Sequence, residues 1–132
     1  MSIKTGVIVL AHGSKVRTGN EGLFTIVEML RAMGKWDMVE AGFLQLAKPG
    51  LTEVVEVLIG RGAKRVVVMP LLLFSGNHVL KDIPAEIDEE RKKFPDVEFC
   101  YAKNIGADER IAMIVADRVV ESINKTQHTI EK

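Results

Sequence analysis

Gly6-Val7-Ile8-Val9-Leu10-Ala11, followed at once by His12-Gly13-Ser14, is the stretch whose reading decides the fold. The first six residues are apolar without interruption, and Val7, Ile8 and Val9 are β-branched. No polar residue alternates with them, so neither face of this segment is meant for water. Such a run suits a strand buried on both faces, as in a parallel sheet covered by helices. A second run of the same kind, Arg65-Val66-Val67-Val68-Met69-Pro70-Leu71-Leu72-Leu73-Phe74, reads as a strand over 65–74. Two further runs, MVEAGFLQL at 38–46 and DVEFCYA at 96–102, mix polar residues into the pattern and read as edge strands.

Helical spacing fills the intervals. Leu23, Ile26, Val27, Leu30 and Met33 form one stripe, with Gly34 at its end. Leu51, Val54, Val55, Leu58 and Ile59 form another, closed by Gly60 and Gly62. Residues 82–94 carry Ile83 and Ile87 beside a charged face, and Pro95 stops them. The last helix is expected over 108–123, with Ile111, Ile114, Val115, Val119 and Ile123 on one side, and the polar residues from Asn124 onward are expected to fray. The order is βαβαβαβα. Right-handed crossovers then give an α/β fold: a four-stranded parallel sheet with helices on both faces. With the two mixed strands at the edges, the strand order is 2-1-3-4. The expected organisation is one domain over 1–124 and a polar C-terminal tail over 125–132.

Composition narrows the function classes. The 132 residues balance 18 Lys plus Arg against 18 Asp plus Glu, so no large positive field is available for nucleic acid or a membrane surface. With Cys100 as the single cysteine, an internal disulfide is impossible, and a reducing, cytoplasmic setting is expected. The N-terminal apolar run has neither a signal peptide's pattern nor the length of a membrane span.

In open parallel sheets, ligands bind beyond the carboxyl ends of the strands, where the strand order reverses. Here that point lies between strands one and three. His12 follows the first of these strands, and Ser75-Gly76-Asn77-His78 follows the third. Either histidine alone is most simply a loop residue making a hydrogen bond. Two of the chain's three histidines on one rim point instead to metal binding or proton transfer; His128 falls in the polar tail. Gly13 and Gly76 suit tight turns beside a ligand. Lys15, Arg17, Lys48, Lys81 and Arg110 lie near the same rim and suit ligand carboxylates, although a solvated charge is the more frequent outcome for any one of them. There is no Gly-x-x-x-x-Gly-Lys-Ser/Thr loop for a nucleotide triphosphate. Phosphoacceptor receivers need an aspartate after strand three, and histidine phosphatases an arginine before the His-Gly pair, where this chain has Ala11. There is also no Cys-x-x-Cys or His-x-x-x-His for a closed zinc site.

An ordered set of motifs runs through nearly the whole chain. It comprises Val9-Leu10-Ala11-His12-Gly13-Ser14, Glu40-Ala41-Gly42-Phe43-Leu44-Gln45-Leu46-Ala47-Lys48-Pro49, Val68-Met69-Pro70-Leu71-Leu72-Leu73-Phe74-Ser75-Gly76-Asn77-His78 running on to Asp82-Ile83-Pro84, and Ile105-Gly106-Ala107-Asp108-Glu109-Arg110. With these the sequence resembles the short form of sirohydrochlorin cobaltochelatase, a class II chelatase. The resemblance implies a chelatase-like (flavodoxin-like) half-domain that acts as a homodimer, because larger chelatases carry two such domains in one chain. It implies insertion of Co2+ into sirohydrochlorin, with Ni2+ or Fe2+ in close relatives such as the sirohaem ferrochelatases, and no permanent cofactor. It casts His12 and His78 as metal-binding and catalytic residues, with His12 the usual base. It makes 73–78 (Leu73, Phe74, Ser75, Gly76, Asn77 and His78) a substrate loop. Gln45 joins the substrate residues but departs from the glutamate many relatives carry, and Glu40, on the opposite strand parity, is a poor replacement. The apolar residues Leu44, Leu46, Leu73 and Phe74 are expected against the ring. The competing class is a non-catalytic carrier of metal or tetrapyrrole.

Overall fold

The computed structural model of the chain describes residues 3–44, 47–74 and 76–131, with backbone alone for 77–80 and 126–131. Eight elements alternate: β1 (Thr5–Ala11), α1 (Arg17–Ala32), β2 (Met38–Phe43), α2 (Leu51–Gly60), β3 (Arg65–Pro70), α3 (Asn77–Lys93), β4 (Glu98–Tyr101) and α4 (Glu109–Glu131). The strands form one sheet in the order β2-β1-β3-β4, every pair parallel. The α/β class, strand order and edge assignments match the sequence expectation.

β1 is buried along its length up to Ala11, as its uninterrupted apolar sequence requires. Its side chains feed two separate cores. Ile8 and Leu10 point to one face, where Val54, Val55 and Leu58 of α2 and Ile83 and Ile87 of α3 pack with Val66 and Val68 of β3. Val7 and Val9 point to the other face, packing with Leu23 and Val27 of α1 and with Val39, Ala41 and Phe43 of β2. The two faces are thus unequally covered: α2 and α3 on one, α1 on the other. Gly6 permits the closest approach. A Cβ there would lie 2.9 Å from a Leu58 methyl, so α2 seats directly on the strand.

Between α2 and α3 sits a buried acid, Glu90, at 2% exposure. The Thr52 hydroxyl donates to its Oε2 at 3.4 Å and the Lys93 ammonium at 3.1 Å, while Oε1 has no partner. Glu86, one turn earlier, is held above the usual carboxylate range, chiefly by burial and then by the charges of Asp82 and Glu90.

Four boundaries depart from the sequence expectation by more than two residues. β3 ends at Pro70 rather than residue 74, because proline supplies no N–H to continue a ladder. β2 ends at Phe43 rather than 46; Gln45 and Leu46 lie outside the described residues. α3 begins at Asn77, five residues before the expected start, so Asn77 and His78 stand in a helical first turn and not in a loop. Pro84 sits inside that helix; proline favours first turns, which is why the pattern reads as a start near 82. α4 continues to Glu131 instead of fraying after 123, for Asn124 onward contains neither Gly nor Pro to stop it.

Leu58→Ala, at a fully buried position, is expected to lower stability by about 3 kcal/mol in urea unfolding. Glu86 holds its proton more tightly folded than unfolded, so its contribution favours folding at low pH and is lost as pH rises through the folded value. Glu86→Gln should therefore raise the thermal midpoint at neutral pH, with the gain fading toward about pH 4.

Candidate active site

The rim at the carboxyl ends of β1, β2 and β3 is assembled by backbone bonds that outlast the ladders. The Leu44 N–H donates to the Ala11 carbonyl at 2.7 Å, and the Leu71 N–H to the Leu10 carbonyl at 2.7 Å. The segment 71–74 therefore leaves the sheet beside the His12 loop. Its far side is tied to the loop after β4, where the Ile105 and Gly106 N–H groups donate to the Leu72 and Leu73 carbonyls at 3.0 and 2.8 Å. Gly106, at φ +68, takes the left-handed conformation that lets this loop turn.

The turn after β1 is built with equal care. Gly13 has φ 88, a conformation a side chain would oppose. Asn20 then grips the loop from α1: its Oδ1 accepts from the Ser14 N–H at 2.8 Å, and its Nδ2 donates to the Ser14 carbonyl at 3.0 Å. The Ser14 hydroxyl accepts from the Val16 N–H at 3.1 Å. Gly19 completes the fit, since a Cβ there would stand 2.9 Å from the Ser14 side chain. The result is an imidazole, His12, presented to solvent on a constrained loop.

Beside it opens a cavity of about 480 Å³, within the usual range for a small-molecule site. Ala11, His12 and Gly13 form one wall, Gly19, Asn20 and Leu23 of α1 a second, and 71–74 a third, with Phe43 of β2 also lining it. Phe43 is held by an edge-on contact with Phe24, ring centres 5.9 Å apart. Leu73 and Phe74 are 49% and 74% exposed, an unusual placement for large apolar side chains that fits contact with a ligand.

Among the sequence-predicted residues, His12, Leu73 and Phe74 meet at this cavity. Gly76 is the N-cap of α3, in extended conformation, and Asn77 and His78 are the first residues of that helix. His78 therefore follows the strand that pairs with β1, at the same end of the sheet as His12. Gln45 and Ser75 lie outside the described residues. Leu44 packs against the α2–α3 core and not at the cavity. Glu40 is bound by Arg31 at 3.0 Å and Arg61 at 3.1 Å, which removes it as an acidic partner for the rim. Arg110 is also occupied. Its guanidinium grips both oxygens of Asp108 at 2.8 Å, holding that carboxyl well below the usual range. Lys15, Arg17, Lys48 and Lys81 are exposed. No cluster of three or more His, Cys, Asp and Glu forms a metal cage among the described residues.

Sequence reasoning missed Asn20 and Phe43. A signal for Asn20 existed: it occupies the inward stripe Asn20-Leu23-Val27-Leu30, where an apolar residue is expected.

Comparison with known proteins shows the family. The CbiX family model matches residues 6–122. A sirohydrochlorin cobaltochelatase of Sulfurisphaera tokodaii is 34% identical over 121 residues, covering 92% of this chain and 96% of that protein. A sirohydrochlorin ferrochelatase of Priestia megaterium is 34% identical over 116 residues, covering 88% of this chain but only 44% of its own length. The chain thus spans less than half of that longer relative. Among solved structures, the sirohydrochlorin chelatase SirB of Bacillus subtilis subspecies spizizenii in complex with cobalt superposes with a TM-score of 0.84 at 29% identity, covering 90% of this chain and 51% of that one. A domain match spanning residues 6–122, and near-full-length likeness to a protein of the same size, place the chain in the CbiX family.

Proposed function

We propose that this protein inserts a divalent metal ion into sirohydrochlorin, cobalt first, with nickel or ferrous iron as alternatives, and that it works as a cytoplasmic homodimer. The observation that carries this reading is the exposed His12 imidazole on an apolar cavity at the carboxyl rim of a CbiX-family sheet.

Metal insertion exchanges two pyrrole N–H protons for one divalent cation. The site must therefore hold the ion loosely and take up protons near neutral pH. Neutral imidazole does both: it ligates cobalt, nickel and ferrous iron, and its basicity lies close to physiological pH. His12, after β1, and His78, in the first turn of α3, are the residues assigned these tasks. Together they would hold the ion against one face of the ring. Leu73 and Phe74 supply apolar contact to the macrocycle, and Ser75, Gly76 and Asn77 are assigned to substrate binding beside them. Lys15, Arg17 and Lys48 suit the carboxylates around the ring's edge. Gln45 contributes an amide where a carboxylate would take a proton, so the proton load falls on the histidines. Two copies of this chain restore the length of the longer relatives, which supports the dimer.

His12→Ala is expected to lower the rate of cobalt insertion at least about 100-fold in an anaerobic absorbance assay with sirohydrochlorin. Its thermal midpoint should be unchanged, because the side chain is exposed. A wild-type rate in this variant and in His78→Ala would refute the assignment, and product limited to one equivalent per protein would reveal a carrier. Asn20→Ala releases both bonds to Ser14 and leaves the His12 loop free to move. It should lower kcat about 10-fold with all reactive groups intact.

A further inference from the structure

The segment 71–74 carries exposed apolar side chains and has no strand ladder to hold them. Leu72 is buried, whereas Leu73 and Phe74 stand out in solvent. They border a cavity whose lining includes Leu23 and Phe43. Large apolar side chains beside an apolar floor gain by falling onto it. A ring-binding segment that collapsed in this way would have to be lifted again at each encounter. Its backbone therefore needs an outside support.

The loop after β4 is placed to give it. The β3–β4 ladder closes at Val68 and Tyr101, yet the loop goes on tracking the neighbouring chain beyond that point. The Ala102 N–H donates to the Val68 carbonyl at 2.9 Å, the Ile105 N–H to the Leu72 carbonyl at 3.0 Å and the Gly106 N–H to the Leu73 carbonyl at 2.8 Å. The last two are neighbouring donors on neighbouring carbonyls, immediately before Phe74. Packing does little to hold this strap, for a hollow of about 350 Å³ opens beside it, lined by Met69, Ile105 and Ile111 among others. Its far end is fixed by the Asp108 N–H, which donates to the Gly106 carbonyl at 3.1 Å, and by the Asp108–Arg110 ion pair at 2.8 Å. The bend between these anchors falls on Gly106, at φ +68, where an L side chain is disfavoured.

We infer that Gly106 is a positioning residue for tetrapyrrole binding: its left-handed backbone sets the strap that holds Leu73 and Phe74 out as a preformed apolar contact for the ring. The inference rests on the proposed function and divides the rim between two supports. The Asn20 grip steadies the His12 loop, where metal and protons are handled. The Gly106 strap steadies the ring contact alone. An apolar contact made equally before and during insertion changes affinity for the ring and leaves turnover unaltered.

Position 106 separates conformation from packing. A Cβ there would meet nothing nearer than 4.0 Å, so alanine disturbs the backbone angle and little else. Gly106→Ala should raise KM for sirohydrochlorin about 10-fold, the order of an L residue's reluctance to adopt positive φ, with kcat and KM for cobalt unchanged. Gly106→Asn, whose side chain tolerates the left-handed region, should restore most of the loss. Titration with metal-free sirohydrochlorin, followed by its fluorescence, should show the same rise in Kd with no turnover involved. In a protein already carrying Leu73→Ala and Phe74→Ala, Gly106→Ala should change neither KM nor Kd further. A fall in kcat or in helical circular dichroism with KM and Kd at wild-type values overturns the inference. So does an asparagine variant no better than alanine, or an undiminished effect in the double-alanine background. Wild-type protein that binds sirohydrochlorin but yields at most one equivalent of product overturns the chelatase reading, and the Kd series then decides the strap by itself. Absence of sirohydrochlorin binding overturns both.

Discussion

A strand paired along both edges and buried on both faces has no freedom to slide, and β1 is in that position. Its registers with β2 and β3 are unbroken from Gly6 to Leu10. A one-residue slip would send Val7 and Val9 into the α2–α3 core and Ile8 and Leu10 out of it. Everything at the carboxyl rim inherits this fixity. The His12 loop, the segment 71–74 and the end of β2 stand side by side because the strands beneath them are locked. The cavity is an outcome of sheet register, tightened by the Asn20 grip on Ser14.

How much of this was legible in the sequence differs by level. The sheet order could be read because apolar continuity distinguishes β1 and β3 from their neighbours. The placement of His12 followed, since the chemistry begins where the apolar run stops. Helix ends were harder. α3 takes in Asn77 and His78 because Gly76 caps it in extended conformation, whereas Pro84 made the pattern look like a later start. The Leu71-Leu72-Leu73-Phe74 run looked like strand because local hydrophobicity cannot tell a buried residue from an exposed one. The family resemblance supplied the tetrapyrrole; no periodicity could have done so. The grip of Asn20 was invisible for another reason: side chain–backbone bonds of this kind depend on how α1 meets the loop, which spacing alone does not fix.

Charge is distributed with a clear division of labour. Glu40 is tied by Arg31 and Arg61, Asp108 by Arg110, Glu98 by Arg65 and Asp88 by Arg91. These pairs sit on edges and loop exits, where exposed ion pairs contribute little to stability and chiefly orient the chain. The rim, by contrast, presents lysines, Arg17 and an imidazole around an apolar floor. Such a surface suits a flat ligand with acidic substituents and a reaction in which protons leave as a cation arrives. Among the described residues, no carboxylate lines the cavity.

The central position of β1 has a kinetic side. It precedes both of its partners, which lie roughly thirty and sixty residues farther along the chain. Neither edge can be satisfied until those segments exist, and closing loops of that length comes before any reward from pairing. Until then, Gly6 to Ala11 is an extended apolar segment with open edges, the kind that seeks other chains. The residue order that makes the finished sheet immovable also makes its first strand the one that waits longest for shelter.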